Sequence, residues 1–250
     1  MELTVWQVLL VGVLSDLSTG LGAVPFVLFR NAPARWQGLA AGYAGGMMVG
    51  ASIFSLVDEG VRRGSVWPTA FGLLLGAAFV AGLNRFVAAR DWQVSGLGAA
   101  DSRRAVLFIL AMFVQSIPEG VAIGVGFATG ELRFGLLLGL AIAVHNVPEG
   151  IAVTLPLRTK GVPLWRCAAY AVFTSLPQPI FAVPAFLAVS PARQLVPAGL
   201  GFAGGAMTYL AVSELLVEAL ETGSRQEMAW SFTLGLVSML ILVATLGLGY

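Results

Sequence analysis

The hexapeptide His145-Asn146-Val147-Pro148-Glu149-Gly150 has a near copy thirty residues earlier, Gln115-Ser116-Ile117-Pro118-Glu119-Gly120. Both copies lie within apolar stretches that are long enough to cross a bilayer. A charged side chain in the hydrocarbon core costs about 2.5–3.5 kcal/mol on insertion scales, so such residues usually serve a function. Two carboxylates at that depth, each one turn beyond a side chain that can bind metal, predict a cation site inside a membrane.

The composition of the chain is that of an integral membrane protein. Its 250 residues are 58% hydrophobic and 11% charged, whereas soluble domains carry about 25% charged residues. Apolar spans of about 20 residues predict membrane-spanning helices rather than β-barrel strands of about ten. The net charge of +1 and the lack of a basic run argue against a nucleic-acid partner, and the single cysteine, Cys167, excludes a CxxC metal site.

We predict an all-α membrane protein with eight transmembrane helices in a single transmembrane domain over residues 1–250. Charged or turn-rich breaks bound the helices. The predicted helices cover residues 3–29, 35–61, 66–88, 104–129, 132–157, 163–189, 193–220 and 227–249. They form three groups: helices 1–3 (about 3–88), helices 4–5 (about 104–157) and helices 6–8 (about 163–249).

The basic residues predict an orientation through the positive-inside rule. If the N-terminus lies outside the cytoplasm, most of them fall in loops on the cytoplasmic side. The inner set is then Arg30, Arg35, Arg85, Arg90, Arg103, Arg104, Arg158, Lys160, Arg166 and Arg225, and the outer set is Arg62, Arg63, Arg133 and Arg193. Both termini are therefore predicted to be extracytoplasmic, with the chain in the plasma or inner membrane.

A second repeat has an offset of 159 residues. The stretch Gly42-Tyr43-Ala44-Gly45-Gly46-Met47-Met48 recurs as Gly201-Phe202-Ala203-Gly204-Gly205-Ala206-Met207, and Ala23-Val24-Pro25 recurs as Ala182-Val183-Pro184. Helices 1–3 therefore repeat as helices 6–8 around the pair 4–5. Because three is an odd number and two helices intervene, the second triplet is inverted, as in many secondary transporters. The alternative is that glycine- and alanine-rich helices resemble each other by chance.

The spacing within each hexapeptide fixes the geometry of the predicted site. Residues at i and i+4 share a helix face, so His145 and Glu149 point the same way, as do Gln115 and Glu119. A proline has no N–H and should kink each helix at this point. The glycine that follows lets a neighbouring helix approach closely.

The donor set predicts the kind of metal. Two glutamates supply a charge that a divalent cation neutralises. Imidazole, carboxylate, amide and thioether donors suit a transition ion such as Zn²⁺ or Fe²⁺ better than Mg²⁺ or Ca²⁺, which prefer oxygen alone. Zn²⁺ is the first expectation, and Fe²⁺, Mn²⁺, Co²⁺ and Cd²⁺ could use the same ligands.

The duplicated Pro-Glu-Gly motif resembles the ZIP family of divalent-metal transporters. So do Thr19-Gly20-Leu21-Gly22-Ala23-Val24-Pro25 in helix 1, and Gly201–Met207 followed by Ser213-Glu214-Leu215-Leu216 in helix 7. The helix count, the outward termini and the 3+2+3 repeat also agree with that family. The resemblance implies a transporter that moves divalent cations toward the cytoplasm.

The resemblance also implies two sets of metal ligands on helices 2, 4, 5 and 6. The first site would comprise Met48, Gln115, Glu119, His145 and Glu149. A second, weaker site would use Ser116, Asn146 and Gln178 with the same two glutamates. The family motif on helix 4 is His-Asn-x-Pro-Glu-Gly, and helix 6 commonly offers a glutamate, so Gln115, Ser116 and Gln178 are departures that weaken the second site.

Several of these residues have a plain structural alternative. Met48 is ordinary helix packing in many proteins, and a buried amide such as Gln115 often bonds only to backbone. Asp16 could hydrogen-bond a neighbouring helix or line the pathway. Asp58, Glu59 and Glu214 could draw cations along an entry or exit pathway, or could be solvated helix ends.

Two other functions are kept as alternatives. A metal-binding sensor or non-transporting homologue would also need the buried ligands, and the altered helix-4 and helix-6 positions are compatible with it. An intramembrane metallohydrolase would need about three strong ligands and an open position for water. One histidine and no HExxH motif argue against that enzyme. A homodimer is left open.

Overall fold

The computed structural model describes residues 4–29, 33, 35–89, 99–159 and 161–248, with only the backbone course of 87–88 and 99–109. Within these ranges the chain is all-helical, and eight helices are long and apolar enough to cross a membrane. They are α1 (Val5–Leu28), α2 (Arg35–Arg63), α3 (Val66–Ala88), α4 (Ala99–Ala128), α5 (Leu132–Thr159), α6 (Leu164–Val189), α7 (Arg193–Thr222) and α8 (Arg225–Leu246). The predicted fold class is confirmed.

The helix boundaries differ from the predicted ones for local reasons. α6 is two pieces, Leu164–Ser175 and Pro177–Val189, because Pro177 starts a new helix at its first position. α8 begins two residues early because Ser224 and Glu227 form a capping box. The polar break predicted over 90–104 falls largely on residues 90–98, which lie outside the described part of the chain, as do Leu3, Arg30, Lys160 and residue 249.

The helix contacts follow the predicted inverted repeat. α2 packs on α8 as α3 packs on α7, and α1 packs on α5 as α6 packs on α4. Exchanging helices 1–3 with 6–8, and 4 with 5, converts each of these pairs into the other. The bundle thus has a pseudo-two-fold axis that passes between α4 and α5.

The glycines at the repeat confirm the 159-residue offset in three dimensions. A Cβ atom on Gly46 would lie 2.0 Å from the carbonyl oxygen of Phe232, and one on Gly205 would lie 2.0 Å from that of Leu73. Gly205 follows Gly46 by 159 residues, and Phe232 follows Leu73 by the same number. Backbone contact of this kind requires a residue without a Cβ, so the paired glycines are packing surfaces.

Both α2 and α7 contain a wide turn at equivalent positions. Ser52–Val57 of α2 and Ala211–Leu215 of α7 are π-helical. Such segments are rare and often lie at functional sites. The two π-helical segments start at Ser52 and Ala211, which are 159 residues apart. This is further evidence that helices 1–3 and helices 6–8 are structural repeats.

Candidate metal centre

The two copies of the hexapeptide meet in the middle of the bundle. Glu119 of α4 and His145 and Glu149 of α5 each offer a ligand atom within 4.8 Å of the other two. All three side chains are at most 1% exposed. Buried charges and imidazoles at membrane depth are normally paired or bind ions, so the cluster is a candidate metal centre.

Hydrogen bonds hold Glu119 from two sides. His145 Nε2 lies 3.0 Å from Glu119 Oε1, and Gln178 Nε2 of α6 donates to Glu119 Oε2 at 2.5 Å. Both oxygens of this carboxylate are therefore oriented by protein groups. This orientation fixes the carboxylate within the cluster before any ion arrives.

Glu149 is in a different state. Among the described residues, neither of its oxygens has a hydrogen-bond partner, and the same is true of His145 Nδ1 and both polar atoms of Gln115. Gln115 is buried close to the Glu149 carboxylate. Unpaired buried polar groups are rare because each costs about 1–3 kcal/mol. An imidazole nitrogen and carboxylate oxygens converge here, a donor set that fits a borderline divalent cation.

The residues of the predicted second site are all hydrogen-bonded, and their role as metal ligands stays a prediction. Asn146 Nδ2 donates to Ser15 O at 2.9 Å, to Ser15 Oγ at 3.1 Å and to Gln178 Oε1 at 3.2 Å. Gln178 in turn donates a hydrogen bond from its Nε2 to Glu119 Oε2. Ser116 donates to the Met112 carbonyl at 3.2 Å within its own helix. The structure therefore brings Asn146 and Gln178 to the cluster through hydrogen bonds, while Ser116 is satisfied by backbone.

Ser15 is a contact that the sequence interpretation missed. It lies one residue before Asp16 on α1, and its hydroxyl and carbonyl both accept from Asn146. The 159-residue offset contained a signal, since it places Thr19 of α1 at the position of Gln178. Thr19 and Ser175 are indeed joined across α1 and α6 by a hydroxyl contact of 2.7 Å.

The motif glycines bring these helices together. A Cβ on Gly150 would lie 1.8 Å from the Thr19 carbonyl oxygen, and one on Gly120 would lie 2.5 Å from that of Gln178. α1 thus contacts α5, and α6 contacts α4, at the level of the cluster. Both helices remain α-helical across Pro118 and Pro148, so the kink stays a prediction.

Met48 and Asp16 are both buried. Met48 is part of the hydrophobic core on α2, which packs against α5. Asp16 is 5% exposed, and its Oδ1 has no hydrogen-bond partner among the described residues. Their roles as a thioether ligand and as a pathway residue remain predictions.

The three outlying acids have protein partners near the helix ends. Asp58 pairs with Arg62 at 2.9 Å, and Glu59 pairs with Arg63. Glu214 accepts a hydrogen bond of 2.9 Å from Asn84 of α3. The pathway role and the solvated-end alternative both stay predictions.

Arg63 also joins α2 to the loop between α4 and α5. Its Nη2 lies 2.8 Å from Glu131 Oε2, and its guanidinium lies 5.1 Å from the ring centre of Phe134. α2 packs on α8, α7 and α5, and the α4–α5 loop connects the two helices that carry the cluster. The ion pair therefore links two parts of the bundle at one membrane surface.

Acidification is expected to loosen this link. The hydrogen bond from Arg63 lowers the pKa of Glu131 below its ordinary value of 4.5. A carboxyl with a depressed pKa stabilises the fold above that ordinary value, and the contribution is lost as the pH falls through the lowered one. Glu131 is 61% exposed, so the effect is local. Amide hydrogen exchange in residues 129–131 should rise after correction for intrinsic rates, and Glu131→Gln should show the raised rate at neutral pH. If the original protein and Glu131→Gln exchange the amide hydrogens of residues 129–131 at the same rate at neutral pH, the prediction is contradicted.

The class of protein now follows from fold and site: an eight-helix membrane protein with a buried carboxylate–imidazole cluster on its two central helices. The family model described as ZIP Zinc transporter matches residues 93–244. The chain is 34% identical over 259 residues to the zinc transporter GufA of Myxococcus xanthus, covering 96% of this chain and 98% of GufA. It is 35% identical over 248 residues to the zinc transporter ZIPB of Bordetella bronchiseptica, covering 92% of this chain and 78% of ZIPB.

A longer Arabidopsis thaliana protein is 39% identical over 226 residues, which are 89% of this chain but 36% of that protein. The chain thus spans about a third of the plant relative and nearly all of GufA. It belongs to the ZIP family. It is therefore a multi-pass membrane protein of a transporter family rather than an enzyme, and the metallohydrolase alternative is not favoured.

Proposed function

We propose that the protein carries divalent transition-metal cations across a membrane through the buried cluster of Glu119, His145 and Glu149. The observation that carries the proposal is the convergence of one ligand atom each from Glu119, His145 and Glu149, all buried and within 4.8 Å of one another. Gln115 and Met48 would complete the ligand set. A transition ion neutralises the two carboxylates and satisfies donors that no described protein group satisfies.

Zinc is the first candidate for the substrate. GufA and ZIPB are zinc transporters by name, and the nitrogen–oxygen donor set is one that zinc uses. Cd²⁺, Fe²⁺, Mn²⁺ and Co²⁺ share enough of this chemistry to compete. Mg²⁺ and Ca²⁺ are disfavoured because they prefer oxygen ligands alone.

Glu119 and Glu149 have different roles in metal binding. Glu119 is held by His145 and Gln178 and offers a carboxylate of fixed orientation, whereas neither oxygen of Glu149 is oriented in this way among the described residues. The inverted repeat places this site between two similar triplets, an arrangement suited to alternating access. Flux toward the cytoplasm, extracytoplasmic termini and residence in the plasma or inner membrane belong to the same proposal. Homodimerisation is left to experiment.

The second metal position is expected to be weak because Gln178 fills its role with an amide. Gln178→Glu would replace an N–H donor facing Glu119 by a carboxylate, and the added negative charge would favour a second cation. We expect the zinc bound per chain to rise from one to two, measured by elemental analysis after equilibrium dialysis. Gln178→Leu removes the donor without adding charge and should not add an ion. An unchanged stoichiometry in Gln178→Glu would contradict the interpretation.

Purified protein in liposomes tests transport directly. A zinc-sensitive dye inside the vesicles should report flux well above that of protein-free vesicles, and calcium should not enter. The metal-sensor alternative predicts zinc binding by dialysis without any flux. That result would replace the transport proposal.

A further inference from the structure

A groove of about 620 Å³ opens between α2, α5 and α8. Its walls include Trp36, Leu39 and Tyr43 of α2, Pro148 and Ile151 of α5, and Trp230 of α8. The volume lies in the range of roughly 300–1,000 Å³ that is typical of small-molecule sites. This α2–α5–α8 groove is separate from the metal centre, and the proposed function does not use it.

The walls of the groove are suited to hydrocarbon. Apart from Glu227 and Ser231, all its lining side chains are aliphatic or aromatic. The two tryptophans face outward, with Trp36 42% and Trp230 64% exposed. All three helices cross the membrane, so the groove opens toward lipid rather than toward a protein-filled space. Because lipid would then surround the groove, we expect an acyl chain to occupy it.

An acidic side chain, Glu227, lines the groove, and a basic side chain acts on it electrostatically. Glu227 lies in the first turn of α8, and Arg35, the first residue of α2, is close enough to act on it electrostatically. Tryptophan together with arginine at helix ends is typical of the membrane–water interface. An arginine suits a phosphate and a glutamate suits an ammonium group. The pair is complementary to a zwitterionic headgroup that has N–H donors.

We infer that the α2–α5–α8 groove binds a phospholipid with an ethanolamine headgroup, its acyl chain along Tyr43 and Ile151 and its headgroup at Arg35 and Glu227. Pro148, in the inner wall, directly precedes the metal-site residue Glu149. A bound chain therefore contacts α5 on a face adjacent to the one that carries the cluster. It supports the ligand-bearing turn against α2 and α8, and this second role rests on the proposed function.

Lipid retention tests the site without relying on transport. The purified protein is titrated with phosphatidylethanolamine, phosphatidylcholine or phosphatidylglycerol of identical chains, and bound lipid is counted by native mass spectrometry. We expect one retained molecule, with ethanolamine bound at least about fivefold more tightly than choline or glycerol. Glu227→Gln should remove most of the preference for ethanolamine over choline.

A matched pair of variants tests the location. Ala40 lines the groove, and Ala78 is an exposed residue on α3. Ala40→Phe should cut retention about tenfold, and Ala78→Phe, which adds the same bulk at a lipid-facing position, should not. Equal retention in these two variants would overturn the location, and Glu227→Gln with unchanged selectivity would overturn the headgroup assignment. A dimer that forms as lipid is lost, weakened by Ala40→Phe, would mean that a second copy occupies the groove and would also overturn the inference.

Discussion

Glu149→Ala is expected to reduce metal flux to the background of protein-free liposomes. The substitution removes both of the oxygens that are unpartnered in the cluster and one of the two negative charges that face the ion. Mutating a mere outer-shell partner of a metal ligand already costs about 10–100-fold in affinity or activity. Loss of a direct ligand should exceed that range. Initial rates of zinc entry, measured with an encapsulated dye, give the comparison.

Two further variants separate chemistry from folding. Glu149→Gln keeps the size of the side chain and one oxygen but loses the charge, so it should also be defective. Glu221→Ala removes a carboxylate at an exposed position of α7 and should transport normally. All proteins are compared after size-exclusion chromatography and helical content measurements. Normal flux in a well-folded Glu149→Ala protein would mean that the metal site lies elsewhere.

Gly205→Ala is expected to have the largest effect on stability. A Cβ there would lie 2.0 Å from the Leu73 carbonyl oxygen, so α3 and α7 would have to move apart. Overpacking of this kind costs about 1–3 kcal/mol and sometimes more. The half-life of the monodisperse protein during heating in detergent should fall by at least about tenfold, since 1.4 kcal/mol corresponds to a factor of ten. Gly46→Ala, one offset away, should behave alike.

Gly82→Ala is the matched control for this experiment. A Cβ on Gly82 of α3 would meet no atom within 4 Å. In a helix interior alanine is more favourable than glycine by about 0.8–1.0 kcal/mol. This variant should therefore be at least as stable as the original protein. If Gly205→Ala and Gly82→Ala lose structure at the same rate, close packing at the repeat glycines does not limit stability.

The fold was predictable because a bilayer restricts what a chain can do. Apolar spans must be helical and of nearly fixed length, so eight spans could be located from hydropathy and charged breaks. The interruption in α6 was not predicted, because Pro177 reads equally well as the kink of one continuous helix. The pseudo-symmetric packing was predictable since Gly46 and Gly205 carry the same motif.

The candidate site was only partly predictable. Helical spacing put His145 and Glu149 on one face, and the duplication implied that Glu119 would meet them. The partner Ser15 from α1 could not be found in this way, because neither the helical spacing nor the duplicated hexapeptide indicates which residues of α1 face α5. Likewise, the contact of Arg63 with Glu131 depends on how two distant helix ends pack, and no local periodicity encodes it.

The matched close contacts of the two triplets have an energetic consequence. Because Gly46 against Phe232 repeats as Gly205 against Leu73, a conformer and the one that results from the two-fold rotation exchanging the two triplets would contain nearly equivalent backbone contacts. Two such conformers are close to degenerate in packing energy, so small local terms decide which one is populated. The tether between Arg63 and Glu131 is present at one surface, and ties of that kind set the resting bias of the molecule.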